Sequence, residues 1–112
     1  MVLKRQSFLL PRSGKALDLA CGLGRNAIYL CRQGLQAHAW DISGEAIRKL
    51  NDYARNEGLN IHTEVRDVCA IPPDENSFDV IVVSHFLDRS LMPSLPAALS
   101  PGGLLFYQTF TR

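Results

Sequence analysis

The chain has 112 residues, 46% of them apolar and 21% charged, with a formal charge of +1. That is one domain of ordinary globular composition, able to bury roughly 65% of its unfolded surface, and it excludes a disordered chain, a collagen and a coiled coil. No apolar run approaches the ~20 residues that span a bilayer, the apolar part of residues 1–11 is too short for a signal peptide, and the near-neutral charge gives no nucleic-acid or anionic-membrane footprint.

Short apolar runs alternate with helical periods along the chain. Ala16-Leu17-Asp18-Leu19-Ala20 follows Gly14, ends at a glycine-rich turn, and reads as a buried strand. Ala27, Ile28, Leu30 and Cys31 form a helical stripe that Gly34 stops. Residues 36–41 alternate around Ala37, Ala39 and Trp40 as a second strand. Ser43 can cap the next helix, with Ala46, Ile47, Leu50, Tyr53 and Ala54 as its apolar face and Gly58 as its close. Ile61, Thr63 and Val65 alternate with His62, Glu64 and Arg66, which suits a strand near a sheet edge. Pro72 to Asn76 is a rigid connection. Val80-Ile81-Val82-Val83 has no polar alternation and belongs at the centre, buried on both faces. Residues 91–99 have helical spacing cut short by Pro93 and Pro96. Pro101-Gly102-Gly103 is a turn before a fifth strand over residues 104–110. Strand–helix alternation implies right-handed crossovers and a doubly wound parallel sheet, with ligands at the carboxyl ends of the strands.

Cys21, Cys31 and Cys69 are odd in number and lack CxxC spacing, so they predict reduced thiols in a cytoplasmic protein, not a disulfide framework or a zinc ribbon. His38, His62 and His85 are scattered singly, and no metal site is expected.

The chemistry concentrates in residues 18–27, Asp-Leu-Ala-Cys-Gly-Leu-Gly-Arg-Asn-Ala. Gly22-x-Gly24-x-x-Ala27 matches a dinucleotide fingerprint, and Asp41 stands where a ribose-binding acid belongs. Glycines that merely permit a tight turn would look the same. A pyrophosphate on the helix N-terminus would be repelled by Asp18, whereas a ligand with a cationic part would not. S-adenosylmethionine, with an ammonium and a sulfonium and no phosphate, suits Asp18 better than a nicotinamide dinucleotide does. A strand Asp could also simply hydrogen-bond the loop backbone.

Residues 18–24 resemble motif I of the class I S-adenosylmethionine-dependent methyltransferases. Trp40-Asp41-Ile42-Ser43 is similar to their second-strand end, Arg66-Asp67-Val68 to their adenine-binding segment, Ser77 to Ile81 to the entry of their fourth strand, and Leu99 to Leu105 to the turn before strand five. The five landmarks stand in family order over roughly residues 14–110. Gly24-Arg25-Asn26 and Ala39-Trp40-Asp41 most resemble the tellurite-resistance methyltransferase branch.

The resemblance implies a Rossmann-like sheet of five strands in order 3-2-1-4-5, without the last two strands of the family fold. It also implies site roles. Cys21, Gly22 and Gly24 form the loop that approaches the methionine part, and Asp18 helps place its ammonium. Asp41 accepts from the ribose hydroxyls, Ile42 packs on adenine, Asp67 accepts from the adenine amino group, and the Val68 N–H meets the ring edge. Ser84 and His85 lie near the sulfonium, with His85 as the candidate base. Plainer readings stand beside these: Asp41 as a helix cap, Asp67 as a turn former, His85 as a packed side chain, Arg25 and Arg89 as solvated charges. The expectation is a single cytoplasmic domain over residues 1–112, shortened after the fifth strand, whose apolar edge a second copy would cover. Its activity would be methyl transfer to a small molecule or oxyanion. The alternatives are a non-catalytic nucleoside-binding module and, disfavoured by Asp18, an NAD-dependent oxidoreductase. No Asn-Pro-Pro-aromatic segment follows the fourth strand, which weighs against a DNA amino-methyltransferase.

Overall fold

A computed structural model of the chain describes residues 13–19, 24–67, 71, 73–74, 76–84 and 97–108. Five strands and two helices are defined: β1 (Lys15–Leu19), α1 (Arg25–Arg32), β2 (Gln36–Asp41), α2 (Gly44–Glu57), β3 (Ile61–Val65), β4 (Phe78–Ser84) and β5 (Leu99–Gln108). The strands form one sheet in the order β3-β2-β1-β4-β5, every neighbouring pair parallel, as the alternation predicts.

Register follows from which face each side chain must bury. Ala16, Ala37, Ala39, Ile61, Val80, Val82 and Phe106 face the helices and pack with Ala27 and Leu30 of α1 and Leu50 and Ala54 of α2. Leu17, Leu19, Trp40, Ile81 and Val83 turn to the opposite face with Phe78 and Ala98. A slip of one residue would exchange these two sets, so the two-sided core pins the ladder. Val80 to Val83 are fully buried, whereas His62, Glu64 and Val65 of the edge strand are exposed.

The helix ends obey local chemistry. Ser43 Oγ accepts from the Ala46 N–H at 3.2 Å and caps α2, and Gly58 closes it, with the Leu59 N–H donating to the Ala54 carbonyl at 2.8 Å. After α1 the Leu35 N–H donates to the Leu30 carbonyl at 3.2 Å across Gly34. Gly24 begins α1 but offers no side-chain cap.

Three expectations need correction. Pro101-Gly102-Gly103 is not a turn before the fifth strand but an irregularity inside it: the partner of Phe78 is Leu99, and the partner of Val80 is already Leu104. The extra backbone is crowded against β4. A Cβ on Gly103 would come within 2.9 Å of the Ser100 carbonyl oxygen and 3.0 Å of that of Asp79. Residues 109–110 of the expected strand lie outside the described residues. Tyr53 is not core; it is 41% exposed, and its hydroxyl accepts from Arg32 Nη2 at 3.2 Å, tying α2 to α1. Val65, read as an inward position, is also exposed: it lies beside Gly44, the first residue of α2, which has no side chain to cover it. Of the cysteines, Cys31 is a free, half-buried thiol; Cys21 and Cys69 lie outside the described residues. No helix among the described residues is long and apolar enough to cross a membrane.

Leu17 has no exposed surface, while Ile42, just past β2, is 70% exposed. Leu17→Ala should therefore cost about 2–5 kcal/mol of stability, and Ile42→Ala less than about 0.5 kcal/mol. Urea unfolding of the two variants checks both figures; a comparable loss for Ile42→Ala would mean that its side chain serves the core.

Candidate cofactor site

The carboxyl ends of β1 and β2, the start of α1 and the residues just after β3 converge at one end of the sheet. It lies beside the point where the chain order reverses between β1 and β4, where open parallel sheets leave a crevice for ligands.

Asp18 is the central element of this end. It lies on β1 between Ala39 of β2 and Val82 of β4, and its side chain faces α1. It is 1% exposed. Oδ2 accepts the N–H of Ala27 at 3.0 Å. Ala27 is the third residue of α1, so a strand carboxylate supplies the cap that Gly24 cannot. Oδ1 is buried with no hydrogen-bond partner among the described residues. Burial raises the carboxyl to about 7; the Ala27 N–H opposes the rise, and the charge of Asp41 adds to it.

Gly24 has a φ of 77°, and a Cβ there would meet the Leu50 methyls at 2.6 and 2.7 Å. The start of α1 is thus pressed onto α2 with no room for a side chain. Asp41 ends β2. Its Oδ1 accepts the Ser43 N–H at 2.8 Å, and its carbonyl accepts the Arg66 N–H at 2.9 Å. Asp41 is therefore not the cap of α2; that role belongs to Ser43, and the Asp41 carboxylate instead shapes the turn between strand and helix. Asp67 follows β3, exposed, with its carbonyl accepting the Ile71 N–H at 2.9 Å. Three large apolar side chains stand exposed at this same end: Ile42, Val65 (55%) and Ile71 (59%).

Of the predicted site residues, Asp18, Gly24, Asp41, Ile42 and Asp67 are brought to this end of the sheet. The backbone of Ser84 ends β4 and pairs with Gln108. Cys21, Gly22, Val68 and His85, together with Arg89, lie outside the described residues. Arg25 opens α1 and is exposed. One feature escaped prediction: the Arg66 guanidinium lies 4.0 Å from the centre of the Trp40 ring. The signal was present, since each residue immediately precedes a predicted site acid, but contact between them depends on strand pairing. A separate cleft of about 450 Å³ opens at the amino ends of the strands, lined by Ser13, Gly14, Asp79 and residues 101–104. Its one carboxylate, Asp79, already accepts the Lys15 N–H at 2.9 Å, so the converging polar groups are at the other end.

Known proteins agree with this fold. A family model for the methyltransferase domain matches residues 16–103, and the chain belongs to that family, with the fold of its class I S-adenosylmethionine-dependent members. Over 84 residues it is 42% identical to the probable S-adenosyl-L-methionine-dependent methyltransferase TehB of Haemophilus influenzae, a match that takes in 72% of this chain and 29% of TehB. The crystal structure of that TehB superposes with a TM-score of 0.69 at 38% identity, over 83% of this chain and 32% of the other. An S-adenosylmethionine-dependent methyltransferase from Methanosarcina mazei gives a TM-score of 0.79 at 26% identity, over 92% of this chain and 55% of the other. The chain thus spans about half the length of these relatives or less.

The family's cofactor is S-adenosylmethionine, and the residues present fit it. Asp18 holds a buried oxygen in need of a donor, Asp41 ends the second strand, and Ile42 and Val65 offer an uncovered apolar surface of the kind a purine packs on.

The raised Asp18 value has a consequence for stability. The unfolded carboxyl titrates near 3.8 and the folded one near 7. Between these values only the folded chain holds the proton, so stability falls as pH rises from about 4 to about 7, by about 4 kcal/mol in all, and is level above that. His38 works in the opposite direction. Burial, with His62 and Lys15 nearby, lowers it from 6.5, so its contribution is present above that pH and lost on acidification. Urea unfolding at several pH values should show the downward slope in the wild type and not in Asp18→Asn; equal slopes in both would place the proton elsewhere.

Proposed function

We propose that this chain is the cofactor-holding part of an S-adenosylmethionine-dependent methyltransferase whose acceptor is a small molecule or an oxyanion. The observation that carries the reading is the Asp18 carboxylate, buried at the carboxyl end of the central strand with one oxygen spent on α1 and the other unpartnered among the described residues. A ligand with a cationic amine satisfies that oxygen and a phosphate does not, which favours the methyl donor over a dinucleotide. When bound, S-adenosylmethionine supplies an activated methyl and a good leaving group.

The chain's own residues then have to bind and orient. Asp18 faces the ammonium side, Asp41 the ribose hydroxyls, Ile42 and Val65 the adenine ring, and Asp67 its amino group. Much of the rate can come from such positioning. A base is needed only where the nucleophile must lose a proton, and His85 is proposed for it on its place in the sequence just after β4. The near-neutral charge supports a small acceptor over a polyanion.

Calorimetric titration with S-adenosylhomocysteine and with NADH tests the cofactor: binding of the first and not the second is expected, and binding of NADH alone would overturn the reading. Asp41→Ala should weaken S-adenosylhomocysteine by about 30- to 1,000-fold, since about 2–4 kcal/mol is the worth of two hydrogen bonds to a charged acceptor. Unchanged affinity would remove Asp41 from the site. A methyl-transfer assay with candidate oxyanions and small nucleophiles separates an enzyme from a binding module.

A further inference from the structure

The Arg66 side chain is engaged by several partners at the carboxyl end of the sheet, and nothing in the proposed cofactor contacts uses it. Its guanidinium lies 4.0 Å from the centre of the Trp40 ring. Nε donates to the Ile71 carbonyl at 2.8 Å, and Nη1 lies 3.3 Å from Glu64 Oε2. Its own N–H donates to the Asp41 carbonyl at 2.9 Å. The Arg66 side chain is only 14% exposed, lying against the buried Trp40 ring, whereas its partner Glu64 is 51% exposed and that pair is open to water.

The four contacts have a common result. Trp40 precedes Asp41, and Arg66 precedes Asp67. The backbone bond fixes the end of β3 to the end of β2. The Nε bond reaches forward to Ile71, whose own N–H donates back to the Asp67 carbonyl at 2.9 Å. Asp67 is therefore held from both sides: by Arg66, to which it is bonded, and by Ile71, which Arg66 clasps. Trp40 is the platform, itself buried and set edge-on against Phe78 with ring centres 5.7 Å apart. A planar, forked cation suits this task. It can stack on the ring while donating in the plane to a carbonyl and a carboxylate, which an ammonium cannot do.

We infer that Arg66, stacked on Trp40 and clasping Ile71, is a positioning residue that sets Asp67 against Asp41 for the adenosine part of the cofactor. The inference rests on the proposed cofactor reading and deepens it. Arg66 touches no ligand in this account; it acts through Asp67 and Ile71. The contribution is confined to the adenosine side, because Asp18 and the start of α1 are held independently, by the Ala27 N–H and by Leu50.

Trp40 is the single tryptophan of the chain, so its fluorescence reports on the surroundings of the ring that Arg66 covers. Wild type, Arg66→Leu, Arg66→Lys and Glu64→Gln are titrated with S-adenosylhomocysteine and, separately, with adenosine. Measurements are made where circular dichroism shows each variant fully folded. Arg66→Leu should change the Trp40 emission of the free protein and weaken both ligands by the same factor, about tenfold. Arg66→Lys keeps the charge and the alkyl stem, folds on the same core, and should fail to restore either property. Glu64→Gln removes only the exposed partner and should bind within twofold of wild type. Affinity within twofold of wild type in Arg66→Leu would overturn the inference, as would full rescue by Arg66→Lys, which would reduce the role to charge. A wild-type chain that binds neither ligand would instead contradict the cofactor reading.

Discussion

A single buried hydrogen bond, from the Ala27 N–H to Asp18 Oδ2, joins the centre of the sheet to the start of the first helix. Helix N-termini need acceptors, and α1 begins at a glycine with no side chain to offer one. The acceptor comes instead from β1, the middle strand of the five. This choice places a carboxylate in an apolar interior, raises it to about 7 by burial, and leaves its second oxygen short of a donor. The strain of that arrangement and the opportunity it creates for a cationic ligand are the same fact. Polar groups without partners in an interior are costly, which is why the unpartnered oxygen of Asp18 carries the proposed cofactor reading.

Around that bond the site is divided between two supports. One is β1 with α1, locked by Asp18 and by the fit of Gly24 against Leu50, and it is the side proposed for the methionine part. The other is the ends of β2 and β3, joined by the Arg66 N–H to Asp41 carbonyl bond and by the Arg66 side chain over Trp40, and it is the side proposed for adenosine. The helix-facing core cluster runs beneath both, through Ala39, Leu50 and Val82.

Most of the fold was legible in the sequence because the signals were local or strictly periodic. The unbroken Val80 to Val83 run, the Ser43 cap, the glycine stops at Gly34 and Gly58 and the wet edge of β3 each follow from chemistry within a few residues. That Asp18, Asp41 and Asp67 gather at one end of the sheet was legible too, because they stand at or near strand ends in a recognisable order. What could not be read depended on partners far away in the chain. Pro101-Gly102-Gly103 looks like any turn until it is seen pressed against the Asp79 carbonyl. Tyr53 has the right helical phase for the core, but α1 offers it Arg32, and a phenol takes the hydrogen bond. Arg66 on Trp40 needs β2 beside β3 before the two can meet, and Asp18 was legible as an acid at a loop but not as the cap of α1.

The proposed cofactor position is the carboxyl ends of β1 to β3 and not the cleft at the opposite end of the sheet. Amide chemical shifts of the ¹⁵N-labelled chain, followed as S-adenosylhomocysteine is added, test it most directly. The account predicts that the moving signals include Gly24 to Ala27, Ile42, Ser43, Asp67 and Ile71, while Gly14, Lys15, Asp79 and Gly102 to Leu104 stay where they are. Shifts confined to the second group, or to residues scattered over both ends, would contradict it.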